Sequence, residues 1–279
     1  MAKHNQPRIL VTVAAPTLTA AQVQADSVGS SQVGYEWRLD YLQDFAELER
    51  KLHEMLFELR FPHSIATCRR VEAGGLFNGS VEEQAQVLAA AVRAGCHWVD
   101  VEIESVDRVD RDFLRQFKPA KILVSCHDYR KMPRLSEVYG HMRRLPVQAI
   151  KIAGHVTRLT DNLLIQKFLR SHHRKGGPKL VMVGLGPAGL PSRLLSLKWG
   201  SAFTYASAGT HLEVASGQLP AHAMRAIYRV ERLNHRTQFF GIVGARASVS
   251  LSPSMHNAAF SAKHLNAIYL PCETNRLAD

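Results

Sequence analysis

Two residues in short β-rich runs have the type and setting for covalent chemistry on a carbonyl. Lys151 lies in AIKIAG, residues 149–154. Desolvation there disfavours the ammonium, lowers its pKa and favours the nucleophilic amine. Such an amine forms an imine with a ketone. His127 closes the run KILVSCH, and an imidazole titrating near neutrality moves protons to and from a reacting group. Each has a plainer alternative: a lysine held charged by Glu102 or another interior acid, and a histidine with a structural hydrogen bond. Acids are at hand in EWRLD and DVEIE. Strand side chains alternate between faces, so Glu36, Arg38 and Asp40 share one face, as do Asp100, Glu102 and Glu104. Buried charges need partners, and Arg38, Arg69 and Lys151 are available. The result is either a structural ion-pair layer or the polar floor of an active site.

A third stretch, VMVGLGPAGLPSR, places Gly184, Gly186 and Gly189 in G-x-G-x-x-G spacing after an apolar run. A dinucleotide site also needs a helix opening at the turn and an acid about 20 residues on. Pro187 and Pro191 punctuate the turn, and SAFTYASAGT, residues 201–210, has no carboxylate. The glycines therefore answer to backbone geometry.

These residues need a scaffold, and the chain repeatedly sets a short β-rich run before an amphipathic one, the pattern of parallel strands joined by helices. The runs begin at Arg8, Val33, His63, His97, Lys121, Ala149, Lys179 and Ala202. Helical segments include 44–59 and 80–94, the second opening on Ser80 and Glu83 as a capping box. Such a series predicts an α/β fold, a (β/α)8 TIM barrel whose strand C-termini build the site. An open doubly wound sheet is the alternative. His127 and Lys151 sit on consecutive strands and meet at one mouth in a barrel.

Composition narrows the function. At 279 residues and 46% hydrophobic, the chain has material for one large domain and a fragment of another. The net charge of +11 is spread along the chain, with short clusters at 141–144 and 171–175 and no nucleic-acid-binding motif. A small carboxylate substrate suits that balance. No apolar run approaches the roughly 20 residues of a membrane span, and the N-terminus lacks a signal peptide's apolar centre, so a cytoplasmic protein is expected. Cys68, Cys96, Cys126 and Cys272 lack metal or disulfide spacing.

Six motifs carry a resemblance. Glu36-Trp37-Arg38-Leu39-Asp40, Thr67-Cys68-Arg69 with Gly74-Gly75, Ser125-Cys126-His127-Asp128, Ile150-Lys151-Ile152-Ala153, Ser192-Arg193 and Gly217-Gln218 are ordered as in type I 3-dehydroquinate dehydratases, over residues 8–230. The resemblance implies a shikimate-pathway lyase acting on 3-dehydroquinate, with no metal or organic cofactor. It assigns the imine to Lys151 and proton transfer to His127. Glu36 and Arg69, with Arg38 alongside, are assigned to substrate hydroxyls, and Arg193 and Gln218 to its carboxylate. Two positions depart from the family: Ala73 replaces a glutamate that orients the histidine, and Val214 replaces a substrate-contacting serine. Either Glu72, one residue earlier, takes over the glutamate's part, or the histidine is held by something else. The other readings are a non-catalytic ligand-binding protein with a weakened site and a different lysine-imine enzyme. A homodimer is left open beside a monomer.

Beyond Arg232 the pattern changes. Ser250-Leu251-Ser252-Pro253, with His256-Asn257 after it, resembles the opening of shikimate dehydrogenases, where the two serine hydroxyls hold the shikimate carboxylate. The expected division is a barrel over 1–232 and a partial dehydrogenase substrate-binding domain over 233–279, an incomplete α/β segment. The residues that would transfer hydride do not fit before Asp279, so no dehydrogenase activity is expected. About 40 residues rarely fold alone, so the segment should be mobile or rest its apolar strands on the barrel.

Overall fold

The computed structural model describes residues 7–29, 33–59, 63–172 and 176–275. His173, Arg174 and Lys175 of the second basic cluster, and the last four residues of the C-terminal segment, lie outside the described residues. Eight strands, β1 (Ile9–Val13), β2 (Gly34–Arg38), β3 (Ser64–Thr67), β4 (Trp98–Glu102), β5 (Lys121–Asp128), β6 (Ala149–His155), β7 (Lys179–Leu185) and β8 (Thr204–Ser207), form one parallel sheet in the order β7-β6-β5-β4-β3-β2-β1-β8. The ladder wraps until β8 faces β7, and the Ala202 amide donates to the Leu180 carbonyl at 2.9 Å across the seam. This is a (β/α)8 barrel, and the open doubly wound alternative is excluded.

Helices α1 (Leu18–Val28), α2 (Leu48–Leu59), α3 (Val81–Arg93), α4 (Ile103–Val106), α5 (Leu135–Met142), α6 (Asp161–His172) and α7 (Leu190–Trp199) fill the crossovers. The capping box forms at α3: Ser80 accepts from the Glu83 amide at 3.1 Å, and the Glu83 carboxylate from the Ser80 amide at 2.7 Å. Both faces of the strands are covered, so they read as continuous apolar runs. Outward residues such as Ile9, Val11, Trp37, Val99 and Ile150 pack against the helices. Inward residues Leu10, Ile65, Trp98, Leu123, Ala149, Val181 and Phe203 form an apolar floor.

Two strands end earlier than the alternation of charges predicts. Asp40 lies on the turn Leu39–Tyr41, and Glu104 on α4, so neither continues its strand's inward face. After β8 the eighth helix is shortened to seven residues, 221–227, of which Ala223–Ile227 form a wide π turn, and a short turn follows at Val230–Arg232. Then β9 (Gln238–Gly244), α8 (Ser252–Ala262) and β10 (Ala267–Glu273) make a βαβ unit with a two-stranded parallel sheet. β10 packs against α7, with Ile268 and Leu270 buried in the barrel's outer core. Arg229 also donates to the Asn257 carbonyl at 3.1 Å. The segment thus rests an apolar strand on the barrel, one of the two expected outcomes. No helix among the described residues is long and apolar enough to cross a membrane.

Candidate active site

Above the apolar floor, the inward positions of successive strands turn polar: Thr12 on β1, Glu36 on β2, Thr67 on β3, Asp100 on β4, Ser125 on β5 and Lys151 on β6. All six are buried. Asp100 is the hub. Its carboxylate accepts from Lys151 Nζ at 2.9 Å, Arg69 Nη2 at 3.0 Å and Ser125 Oγ at 2.5 Å. Burial alone would raise its pKa, but Arg69 and Lys151 override that and hold it well below the usual carboxylate range. Arg69 is pushed the other way: burial opposes its charge, while Asp100, Glu102 and Glu36 retain it.

Lys151 therefore rests as an ion-paired ammonium. Its second oxygen is Glu36 Oε1 at 3.4 Å, and its head lies 4.4 Å from the centroid of the Tyr205 ring. The partner is not Glu102. That carboxylate turns to the barrel wall, accepting from the Arg70 amide at 2.8 Å and from the Gln84 side chain. Glu36 is itself held by Thr12 at 2.9 Å and Thr67 at 3.1 Å. The two sequence readings of the acids meet here, since the ion-pair layer is the floor of a cavity.

That cavity is lined by every one of the seven expected barrel residues: Lys151, His127, Glu36, Arg38, Arg69, Arg193 and Gln218. His127 Nδ1 lies 3.0 Å from Arg69 Nη1. A guanidinium only donates, so Nδ1 accepts and the neutral ring carries its proton on Nε2. Burial, reinforced by Arg69 and Lys151, drives the His127 pKa well below its ordinary value. Glu72 does not orient the ring. The turn Val71–Ala73 sends its half-exposed side chain outward to Arg108 at 2.7 Å and Arg70 at 3.4 Å. Instead, Tyr129 lies nearly parallel to His127, ring centroids 6.1 Å apart, and its hydroxyl donates to the Ala73 carbonyl at 3.4 Å.

Arg38 lines the cavity with its guanidinium already committed, donating twice to Asp40 at 2.9 and 2.7 Å. Arg193 is different. It is buried in the first turns of α7, its Nη2 donates to the Ser216 carbonyl at 3.1 Å, and its Nε has no partner among the described residues. With no carboxylate beside it, burial brings its pKa down to about 10. Gln218 is fixed at both ends, accepting from the Val214 amide and donating to Thr12 Oγ1, each at 3.1 Å.

The glycine-rich turn aims Arg193. Gly186 adopts φ +84°, and a Cβ on Gly189 would stand 2.7 Å from the Gly184 backbone. Bulkier residues would push α7 off the end of β7. Among the described residues no cluster of His, Cys, Asp or Glu is arranged to hold a metal ion. Sequence reasoning missed Asp100 as the hub and Tyr205 as a lining residue. The first was visible only as one acid of an alternating set, the second as an ordinary strand aromatic.

In the C-terminal unit the expected clamp residues are not aimed at this cavity. Ser250 Oγ accepts from the Ser252 amide at 3.2 Å, at the start of α8.

The chain is similar in sequence and fold to known proteins. A "3-dehydroquinate dehydratase" from Dehalococcoides mccartyi is 33% identical over 218 residues, covering 76% of this chain and 93% of that protein. The "Bifunctional 3-dehydroquinate dehydratase/shikimate dehydrogenase, chloroplastic" of Arabidopsis thaliana is 29% identical over 273 residues, 91% of this chain, which spans only 44% of that longer protein. In fold, the crystal structure of 3-dehydroquinate dehydratase from Geobacillus kaustophilus superposes with a TM-score of 0.73 at 22% identity, over 81% of this chain and 91% of that one. A family model described as type I 3-dehydroquinase matches residues 9–235, the whole barrel, and on that match the chain belongs to the type I 3-dehydroquinase family.

Proposed function

We propose that the cavity dehydrates 3-dehydroquinate to 3-dehydroshikimate through an imine on Lys151, as a hydro-lyase of the shikimate pathway. The observation that carries the reading is the presence, in the lining of one cavity, of Lys151 on β6 and a buried arginine, Arg193, that has no counter-charge among the described residues. A lysine alone fits any imine enzyme. A lysine sharing a cavity with a guanidinium that has no acid beside it among the described residues fits a keto acid, whose carboxylate takes the planar fork of Arg193 with Gln218 beside it.

Attack requires the amine, so the Lys151 ammonium first gives up a proton; Asp100 and Glu36 are the oxygens in contact with it. The amine adds to the C3 ketone, and water leaves as the protonated imine forms. That cation draws electrons from C3 and acidifies the C2 proton, which His127 removes through Nδ1, the ring nitrogen without a proton, as Arg69 turns from it to the substrate hydroxyls, giving an enamine. Electrons return through the enamine, the C1 hydroxyl departs with a proton, and hydrolysis consumes the first water and frees Lys151. The net change is loss of one water. Glu36 and Arg69 hold the substrate hydroxyls, and Arg38, neutralised by Asp40, shapes that side of the cavity.

Borohydride added with 3-dehydroquinate should fix the ligand's mass irreversibly on Lys151, and Lys151→Ala should abolish turnover monitored by absorbance of the conjugated product. Labelling of another lysine, or turnover by Lys151→Ala, rejects the imine. A binding protein that has lost its chemistry would bind 3-dehydroquinate without forming product.

For the C-terminal part we infer a second unit, residues 233–279, corresponding to the start of a shikimate dehydrogenase substrate domain, with 1–232 as the dehydratase unit. Its support is the alignment with the bifunctional Arabidopsis protein, which runs beyond the barrel. Ser250 and Ser252 would there offer hydroxyls to a shikimate carboxylate. Equilibrium dialysis with shikimate tests this: binding lost on Ser250→Ala with Ser252→Ala supports the clamp, and binding indifferent to both changes rejects it.

A further inference from the structure

Among the described residues, two that line the cavity hold buried polar atoms without a hydrogen-bond partner. One is Arg193, whose guanidinium takes the substrate carboxylate in the reaction proposed above. The other is Tyr205, in the middle of β8. Its side chain is 4% exposed, and its hydroxyl has no partner among the described residues. It differs in this from the buried Tyr35, whose hydroxyl donates to the Ala25 carbonyl, and from Tyr129, whose hydroxyl reaches the Ala73 carbonyl.

Packing does not explain the oxygen. The Tyr205 ring belongs to the apolar cluster of Val181, Val183, Leu185 and Phe203, meeting Phe203 edge-on at 5.7 Å. A phenylalanine serves such a place as well, without burying an unsatisfied hydroxyl. Position does explain it. The same ring presents its face to Lys151 Nζ, the atom that takes the ketone, and the residue lines the cavity together with Arg193 and Gln218. Burial, with Glu36 and Asp100 nearby, raises the phenol's pKa well above its ordinary value, so at neutral pH the group is a donor.

We propose that Tyr205 is a further substrate-contacting residue, whose hydroxyl donates a hydrogen bond to an oxygen of the keto acid while its ring flanks the lysine to which that acid is joined. The proposal rests on the reading of the cavity as a keto-acid site. It implies discrimination, because a ligand with carbon where that oxygen belongs leaves the hydroxyl dry and unpaired.

Tyr205→Phe keeps the ring and removes the oxygen alone, so stability and affinity should move in opposite directions. The melting temperature should rise by about 2–4 °C as an unsatisfied buried group is deleted. The Kd for 3-dehydroquinate, titrated calorimetrically in a His127→Ala background where turnover is suppressed, should weaken roughly tenfold. In the otherwise unaltered enzyme kcat/KM should fall by a similar factor. An unchanged Kd overturns the proposal, and so does a fall in melting temperature, which would mean that the hydroxyl serves the fold. The dehydratase reading fails separately: an inactive wild type rejects it, while the calorimetric comparison still decides whether Tyr205 touches the ligand.

Discussion

Arg69 donates to Nδ1 of His127 at 3.0 Å and, through its other nitrogen, to Asp100 at 3.0 Å, so one guanidinium sets both the tautomer of the base and the charge beside the nucleophile. A carboxylate on Nδ1 would favour the imidazolium, whereas a guanidinium there disfavours it. His127 is thus kept neutral, and its lowered pKa places its protonation well below the value of about 6.5 for a free imidazole. Between the unfolded and folded pKa values the unfolded chain binds the extra proton, so this contribution to stability is complete above about pH 6.5 and is lost as pH falls towards the folded value. Nitrogen-15 spectra at pH 6.5 should show His127 as neutral with its proton on Nε2. An imidazolium signal at that pH would contradict the arrangement.

Glu72 provides the contrasting variant. Its carboxylate makes exposed ion pairs with Arg70 and Arg108, a class of interaction worth about 0–1 kcal/mol. Glu72→Gln should leave kcat and KM within about twofold of wild type, an estimate set by that small energy. His127→Ala should cost on the order of 10²–10⁴ in kcat, as expected for loss of a general acid–base group. A matching loss in Glu72→Gln would restore Glu72 as the orienting residue.

These two residues also mark how far the sequence could be read. The eight strands and the α3 cap are legible in local composition, because a buried parallel strand and a Ser80–Glu83 cap each carry a signal within a few residues. The convergence of His127 and Lys151 is legible once the strands are taken as consecutive, and Ser125 does pair in register with Lys151. The part of Glu72 was not legible, because closeness in sequence says nothing about the direction a tight turn sends a side chain. Lys151 was assigned desolvation in an apolar run, yet its neighbours in the chain point to the other face. Its actual surroundings, Asp100 and Glu36, come from strands made adjacent only by the closed barrel.

Asp100 should be the most sensitive position for folding. Its carboxylate is buried between two cations, and removing one member of such a cluster typically costs about 3–5 kcal/mol because the remaining charges are left uncompensated. Asp100→Asn should therefore lower the urea midpoint strongly. Its surviving folded fraction should also react faster with amine-directed reagents at Lys151, since one of the two acids holding the ammonium is gone. An unaltered midpoint would show that Lys151 and Arg69 do not depend on this carboxylate.

Arg193 should behave in the opposite way. A buried guanidinium with, among the described residues, an unpartnered Nε and no acid nearby destabilises the unliganded protein, and burial brings its pKa down to about 10. Arg193→Leu should raise the melting temperature while increasing KM for 3-dehydroquinate, with the greater loss in kcat/KM. Esterifying the substrate carboxylate should weaken binding to wild type and leave the variant nearly indifferent. Equal sensitivity of both proteins to the ester would place the carboxylate elsewhere.

The C-terminal βαβ unit should brace the barrel through β10. In most (β/α)8 folds a full helix after the last strand covers the seam with its neighbours; here a helix of only seven residues, 221–227, and a short turn come before β9, and β10 lies against α7. Leu270 on β10 is 2% exposed and belongs to the same core as Leu194 and Leu197 of α7. Leu270→Ala should cost about 2–5 kcal/mol, the range for truncating a buried leucine. Because α7 also carries Arg193, the loosened helix should raise KM for 3-dehydroquinate at a denaturant concentration too low to unfold the barrel, with kcat held by Lys151 and His127 on β6 and β5. Denaturation curves and kinetics on the same preparation separate the outcomes. A stability loss with a rise in KM means that β10 braces the carboxylate-binding helix. An unaltered midpoint means that the unit is only appended to a barrel that closes without it.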